Sequence, residues 1–321
     1  MATGCYLQRN GYQTEIFEMA SEAGGVSVSW DRKGYTFDSA TNWIPGSSPA
    51  LNFHRYISEI VDWSKLKIVD FDVFQAIEGL DGTRFTVYTD TERLRGEMLR
   101  IAPEDRETID EFCDAVAHVR HLPLPIDKPF DLYGIGDVAA LLTKHFGLIR
   151  FTLKWRPRTI EQFAQRFTNR CLRESFLRIF PAHGDFSVLG LITSLGWMNM
   201  RSTGYPIGGS ARFVEVVEEK YREPGGTIRF GAKVEEILVA DSTARGIRLA
   251  GGETAHSDLV VSAADGHSTI FGMLKGAYAD HKIRRIYESR RLFPAMLQIS
   301  LGVKRRFPDE CHTIVLPIDP P

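Results

Sequence analysis

The chain has 321 residues, 43 % apolar and 25 % charged, enough to bury a substantial core in more than one domain and unlike a disordered or fibrous composition. A formal net charge of −2 gives no electrostatic reason to propose nucleic acid as a partner. Four cysteines, Cys5, Cys113, Cys171 and Cys311, stand far apart with no C-x-x-C pair, which fits neither a disulfide framework nor a zinc site and points to a reducing, cytoplasmic compartment.

The first stretch, Met1 to Gly25, organises the reading. Small residues Ala2, Thr3 and Gly4 begin a helical pattern carried on by Tyr6 and Leu7, and Asn10-Gly11 stops it. A short apolar run, Thr14 to Phe17, then closes on an acid, Glu18. Helix, turn, strand and terminal acid make the second half of a dinucleotide-binding βαβ unit, in which the acid accepts a hydrogen bond from a ribose hydroxyl. The first strand and G-x-G-x-x-G of that fingerprint would precede Met1. With the third Gly just before Met1, Glu18 lies at about the spacing of twenty residues the fingerprint carries. The alternative is any βαβ unit with an unrelated acid at its strand end.

Met19 to Gly25 is a loop closing on Gly24-Gly25, a pair that lets backbone approach a ligand and also serves plain turns. Strands over Val26 to Trp30 and Tyr35 to Asp38 flank the hairpin turn Asp31 to Gly34, and Trp43 to Gly46 reads as a loop. Ala50 to Val61 is expected to be helical. Lys67 to Glu78 and Arg84 to Tyr88 form a β pair turned by Asp81-Gly82. Helices follow over Thr91 to Ile101 and Pro103 to Val119, the second with Pro in its first turn. His118 and His121 could share a helix face as metal ligands, but no third ligand is in view, and ordinary histidines are the simpler reading.

Leu122 to Trp197 is mostly helical and carries no dinucleotide signal, as expected of an inserted domain. Its most apolar window, Phe186 to Met198, is too short to cross a bilayer and reads as a buried helix, with a membrane-surface or substrate-lining segment as the alternative. Phe146, Arg150, Phe151, Lys154, Trp155, Arg156 and Arg158 interleave aromatic and basic residues, either a solvated face or one that rests on anionic membrane.

The cofactor signal returns at Tyr205 to Gly209, before a helix from Ala211 to Arg222 with Phe213, Val214, Val217 and Tyr221 as its buried stripe. Strands follow over Thr227 to Phe230, Val234 to Ala240, Arg245 to Leu249 and Glu253 to Ala255. Asp258 to Ser262 is a near-continuous apolar strand of the kind covered on both faces, ending on Ala263-Ala264-Asp265-Gly266. A basic helix around Lys282 to Arg291 and a strand from Ala295 to Val303 complete the reading.

Six pieces in this order, residues 4 to 18 (GCYLQRNGYQTEIFE), Gly24-Gly25, residues 33 to 38 (KGYTFD), 205 to 209 (YPIGG), 233 to 237 (KVEEI) and 260 to 265 (VVSAAD), resemble the phytoene desaturase family of FAD-dependent oxidoreductases. That family takes in carotenoid isomerases and retinol saturases. The resemblance implies an α/β fold: an FAD-binding, Rossmann-like domain of the glutathione-reductase type built from discontinuous segments, 1–66 and 204–275, with an inserted α+β substrate domain over 67–203 and a return segment over 276–321. It implies that Glu18 holds the adenosine ribose with Met19 beside it, that Gly24-Gly25 lies along the pyrophosphate, that Val234 meets adenine through its backbone, and that Ala263-Ala264 passes close to the cofactor. Where an Arg often follows the glycine pair in the family, this chain has Val26.

The implied chemistry is hydride transfer between an apolar isoprenoid or polyene and flavin, with peripheral membrane association as a corollary of so apolar a substrate. It needs no nucleophile or metal, in keeping with the lack of a G-x-S-x-G elbow or H-E-x-x-H motif. The polar candidates Asp38, His183, Asp185 and Asp265 each read first as structural. Two other classes stay open: an amine-oxidase-like flavoprotein, and a prenyl-binding escort protein of the same architecture without flavin. The chain is further expected to be a piece truncated at both ends and inactive alone. A missing central strand would remove three Val or Ile side chains worth about 5–9 kcal/mol, against a domain stability of about 5–15 kcal/mol.

Overall fold

Helix Ala2–Arg9 ends where Gly11 takes a φ of +86°, and the chain turns straight into strand Glu15–Phe17. The computed structural model describes residues 1–38, 42–79, 82–180, 185–290, 297–307 and 310–316. They fall into two units, Met1–Ala40 with Ser210–Ser300 and Thr41–Gly209 with Leu301–Pro321.

In the first unit, strand Glu15–Phe17 runs parallel to Thr227–Arg229, with Ile16 opposite Ile228. A parallel pair needs a crossover, and helix Gly209–Arg222 leads into the second strand. Tyr221, completely buried near that helix's end, fixes the pairing. Its hydroxyl stands 3.1 Å from the Thr14 carbonyl and 3.2 Å from the Thr227 carbonyl, so it reaches the start of both strands. Gly4 is what lets the first helix approach: a Cβ there would come within 2.4 Å of the Tyr221 ring.

The hairpin Ser29–Arg32 to Tyr35–Asp38 turns through Lys33 and Gly34, both with φ above 0°, which matches the right-handed twist of the strands. Its first strand starts at Ser29, three residues later than the apolar pattern from Val26 suggests. Val234–Ala240, Thr243–Leu249 and Thr254–His256 form an antiparallel sheet. Its buried residues Ala232, Ile247 and Leu249 pack with Phe17, Val234, Ala255 and Val260.

Two expected strands do not form among the described residues. Asp258 to Ser262 pairs with no strand, and Leu259 and Val261 are each 51 % exposed. Residues 297–303 are likewise unpaired, and Leu297 and Ile299 are exposed; Ala295, where that strand was expected to begin, lies outside the described residues. The apolar content is that of a strand, but the parallel sheet among the described residues has two strands and neither pairs with these segments. Without a ladder an apolar run stays an exposed loop. The basic helix is His281–Ser289.

The second unit begins earlier than the motif order suggests. Ile44–Pro45, expected as a loop, is a strand on Thr203–Pro206, and Ile68–Val69 lies along the other side of it. These pairings place 41–66 with the second unit, where the cut was expected after 66, and the later cuts fall after Gly209 and Ser300 where 203 and 275 were expected. Only His54–Ile57 is α-helical within the expected helix Ala50 to Val61. Val73–Glu78 pairs with Arg84–Tyr88 as expected, with Gly82 at φ +79° in the turn and Asp81 outside the described residues. Ile314–Val315 adds a parallel strand that two residues could not announce.

Helix Thr91–Ile101 has the expected bounds, and Asp90 caps it by accepting from the Arg93 N–H at 2.9 Å. Pro103–Asp105 is a 3₁₀ turn leading into helix Arg106–His118. The core is aromatic: Phe112, Trp155, Phe163, Phe167 and Phe176 are all fully buried, with Phe112 and Phe176 edge to face at 5.1 Å. Helix Val188–Asn199 lies within this core with Val188, Leu191 and Ile192 at 0 % exposure, so the buried-helix reading holds over the membrane-surface one. His118 and His121 are exposed, with rings 5.7 Å apart, and no group of three metal-ligating residues occurs among the described residues.

Part of the basic–aromatic stretch is internally neutralised. Lys154 and Arg166 reach the Glu111 carboxylate at 2.8 and 2.6 Å, and Arg158 approaches it at 3.7 Å. Burial alone would raise the Glu111 pKa, but the hydrogen bonds from Lys154 and Arg166 outweigh it and hold the carboxyl below its usual range.

Phe176→Ala is expected to destabilise this unit by about 3–5 kcal/mol, read as a lower urea midpoint in far-UV circular dichroism. Because the folded pKa of Glu111 is depressed, its stabilisation is present above the unfolded value of about 4.3 and is lost as pH falls through the folded one. Glu111→Gln should therefore flatten the fall in urea midpoint below about pH 5; an unchanged acid profile would sink this account.

Candidate functional site

The carboxyl end of the two-stranded parallel sheet carries three of the seven expected residues, Glu18, Met19 and Val234. Backbone pairing continues past the strand: the Glu18 N–H donates to the Arg229 carbonyl, and the Ala232 and Gly231 N–H groups donate to the Glu18 and Ala20 carbonyls, all at 2.8–2.9 Å. These bonds hold Glu18 at the sheet end. Glu18 Oε1 accepts from the Ala20 N–H at 2.8 Å, and Oε2 accepts no hydrogen bond among the described residues. An oriented carboxylate with one free oxygen can accept from a hydroxyl. Met19 follows, largely exposed.

Val234 belongs to the same place. It packs in the small cluster with Phe17, one residue before Glu18, and with Val260. A bulge between Val234 and Glu236 re-aims the strand start. Ala263 and Ala264 follow Val260 by three and four residues in exposed chain, not at the end of a buried strand, for the reason given above.

Gly24 and Gly25 turn the loop with φ +131° and +62°, and the Ser27 N–H closes the turn onto the Gly24 carbonyl at 3.0 Å. A Cβ on Gly24 would stand 2.6 Å from the Ser27 carbonyl, whereas one on Gly25 would meet nothing within 4 Å. Gly25 therefore leaves open space beside bare backbone, a place where a ligand can lie without a side chain intervening. With the free carboxylate oxygen of Glu18, this fits a nucleotide cofactor.

The polar candidates divide. Asp38 is a cap: its Oδ2 accepts from the Ser210 N–H at 2.9 Å, and Ser29 Oγ accepts from the Ala211 N–H at 3.2 Å. Two hairpin side chains thus satisfy the N-terminus of helix Gly209–Arg222. Asp265 Oδ1 accepts from the Ser268 N–H, and the hydrogen bonds from Ser268 hold its carboxyl below the usual range. Asp185 is exposed, and His183 lies outside the described residues.

The second unit has a recess that sequence reasoning missed. Trp43, Phe71, Phe74 and Met198 line a small, shallow recess together with Asp70 and His312. His312 stacks on Phe71 at 3.9 Å, and burial lowers its pKa while burial raises that of Asp70 against the pull of Arg201. Residues so far apart in sequence leave no local signal.

The family model for flavin-containing amine oxidoreductases matches residues 1–307. The chain is 24 % identical to a phytoene desaturase (neurosporene-forming) of Cereibacter sphaeroides, over 98 % of this chain and 61 % of that protein. It is 20 % identical to a 4,4'-diapophytoene desaturase (4,4'-diapolycopene-forming) of a Methylomonas species, over 99 % of this chain and 62 % of the relative. It thus spans about three-fifths of the length of the curated relatives it matches. Among solved structures, an oxidoreductase from Methanosarcina mazei superposes with a TM-score of 0.53 at 17 % identity, covering 90 % of this chain and 62 % of that one, a likeness of fold.

Gly24→Ala is expected to cost more stability than Gly25→Ala, because only the first drives a methyl into a carbonyl oxygen. The strained φ alone costs about 1–2 kcal/mol at either position. Thermal melts of the two variants check the order, and equal melts would contradict it.

Proposed function

The chain belongs to the flavin-containing amine oxidoreductase family, whose cofactor is FAD, and from that premise we propose that the protein is a desaturase, isomerase or saturase that moves a hydride between a carotenoid- or retinoid-like polyene and the flavin. The observation that carries the reading is the pairing of Glu18, fixed at a parallel strand end with a free carboxylate oxygen, with the open backbone at Gly25. The likeness to two carotenoid desaturases supports the substrate class.

In this reading the first unit is the FAD-binding part, Rossmann-like and discontinuous, and the second is the substrate part. Glu18 accepts from the adenosine ribose, Met19 flanks it, Gly24-Gly25 follows the pyrophosphate, Val234 backs the adenine, and Ala263-Ala264 passes near the cofactor. When bound, flavin supplies the hydride chemistry; the protein supplies orientation, dryness and charge placement. The part of this chain is to hold the nucleotide end, through one oriented carboxylate and a loop without Cβ atoms.

The same reading makes the chain by itself a weak binder. Ile16, Phe17 and Ile228 of the parallel pair are only half-buried, where strands of a covered parallel sheet are enclosed on both faces. Purified alone, it should carry less than stoichiometric flavin by its 450 nm absorbance, and a fully loaded yellow protein with a cooperative melt would overturn this. Glu18→Ala should weaken FAD binding by about tenfold, the loss of one hydrogen bond to a charged acceptor, read by quenching of flavin fluorescence. The substrate class is tested anaerobically on a form carried to the length of its relatives. Bleaching of oxidised flavin by a polyene, or return of the yellow colour when a polyene is added to the reduced flavin, supports the reading, and bleaching by a primary amine alone moves it to amine oxidation.

A further inference from the structure

The chain passes between the two units three times, after Ala40, Gly209 and Ser300. Within the first unit the three crossings are gathered at one residue. Asp38 ends its strand two positions before the first crossing. Ser210 follows the second crossing at once, and its N–H donates to Asp38 Oδ2 at 2.9 Å. Gln298 stands two positions before the third, and its side-chain amide donates to the Asp38 carbonyl at 3.1 Å. Ser29 braces the same point, donating to Asp38 Oδ1 at 3.3 Å while its oxygen accepts from the Ala211 N–H. Ser210 is completely buried and Asp38 half-buried. Through both carboxylate oxygens and its own carbonyl, one residue thus holds chain that lies 172 and 260 positions away.

The second unit holds its own ends of the first two crossings side by side. Ile44–Pro45 lies antiparallel to Thr203–Pro206, and the Gly46 N–H donates to the Ser202 carbonyl at 2.7 Å. Two serines add bonds across this pair: buried Ser202 donates to the Ser48 carbonyl at 3.0 Å, and Ser47 accepts from the Gly204 N–H at 2.8 Å. The last backbone bond of that strand runs from the Ile207 N–H to the Lys67 carbonyl. Between it and the cap at Ser210 stand only Gly208 and Gly209, at φ +95° and +64°. Two consecutive residues without Cβ in the left-handed region, anchored on either side, are where a change in φ and ψ costs least. Residues 301–307 enter no strand, so the third crossing adds no second line of support.

We infer that the two units are joined by a single hinge that bends at Gly208-Gly209 and is pinned by Asp38. Connections leaving the first unit at three separate places would resist rotation as a tripod does; three gathered at one residue leave one pivot. A carboxylate suits the task, because it also meets the positive end of the dipole of helix Gly209–Arg222. In the flavin reading Asp38 becomes a positioning residue, since the nucleotide part and the substrate part are carried by different units. The hinge itself stands on hydrogen bonds and chain path and does not depend on that reading.

The test is the distance between the units, measured by double electron–electron resonance on the full chain without added flavin. Spin labels go on the exposed positions Glu107→Cys and Lys233→Cys, with Cys171 and Cys311 replaced by Ser; Cys5 and Cys113 are buried. Asp38→Ala should raise the share of broadly distributed distances about fivefold, the effect of losing one cap. Gln298→Ala, an exposed position that caps nothing, should broaden the same distribution with an unchanged thermal melt. Asp38→Asn, whose side-chain oxygen can still accept from Ser210, should keep the wild-type distribution. Asp280→Ala removes a comparable cap in the same unit, the 2.7 Å bond from the Ile283 N–H, and should lower the melt while leaving the distances alone. Wild-type distributions in both Asp38→Ala and Gln298→Ala would overturn the proposal. So would equal broadening by Asp280→Ala, which would mean general loosening. The expected pattern in a chain that binds no flavin would support the hinge while the flavin reading failed.

Discussion

The hydroxyl of Tyr221 holds the first unit in register. It is the polar tip of a completely buried ring, and it meets the carbonyls of Thr14 and Thr227 just where the two parallel strands begin. A buried phenol must find a partner or pay desolvation of about 1–3 kcal/mol, and here the two carbonyls within reach of its single proton stand at the starts of different strands. That couples the start of one strand to the start of the other and places Glu18 opposite the Arg229–Ala232 turn. Gly4 is part of the same constraint, because any side chain there would push the first helix off the ring. Burial raises the Tyr221 pKa, so the group stays a neutral donor.

The two units differ in how completely they bury themselves. The second has a continuous aromatic and aliphatic core around Phe112, Trp155, Phe163 and Phe176, and three of its basic residues, Lys154, Arg158 and Arg166, converge on Glu111. The first has a small cluster around Ala232, Ile247 and Leu249 and a parallel pair whose apolar side chains are half covered. Exposed Leu259 and Val261 belong to the same picture: apolar strand-like chain with no strand beside it. The residues proposed to face the cofactor thus sit on the less enclosed unit, held by backbone hydrogen bonds and glycine turns more than by packing. Loops with few buried contacts are also where local opening costs least.

Much of the fold was legible locally. Helix Thr91–Ile101 announces itself through Asp90 and a helical apolar period, the hairpin through Lys33-Gly34, and the antiparallel sheet through short alternating runs broken by turns. Each depends on residues within a few positions of one another. The strands expected at Asp258 to Ser262 and over 297–303 do not form, because apolar content states a preference for burial, while a strand exists only when a neighbour offers its N–H and C=O groups. Ile44–Pro45 went the other way, too short to signal anything and made a strand by Thr203 and Gly204.

For the candidate site the division is the same. The sequence by itself determined the acid after an apolar run, the glycine pair and the order of the pieces, because these are chemical identities at fixed spacing. Only the tertiary structure decided that Glu18 keeps a free oxygen, that Asp38 serves as a helix cap, that Phe17, Val234 and Val260 pack on one small cluster, and that the helix Ile135–Lys144 buries no residue. Each of these depends on groups brought together from distant parts of the chain. Hydrogen-bond satisfaction and burial are properties of such meetings, and no stretch of sequence carries them alone.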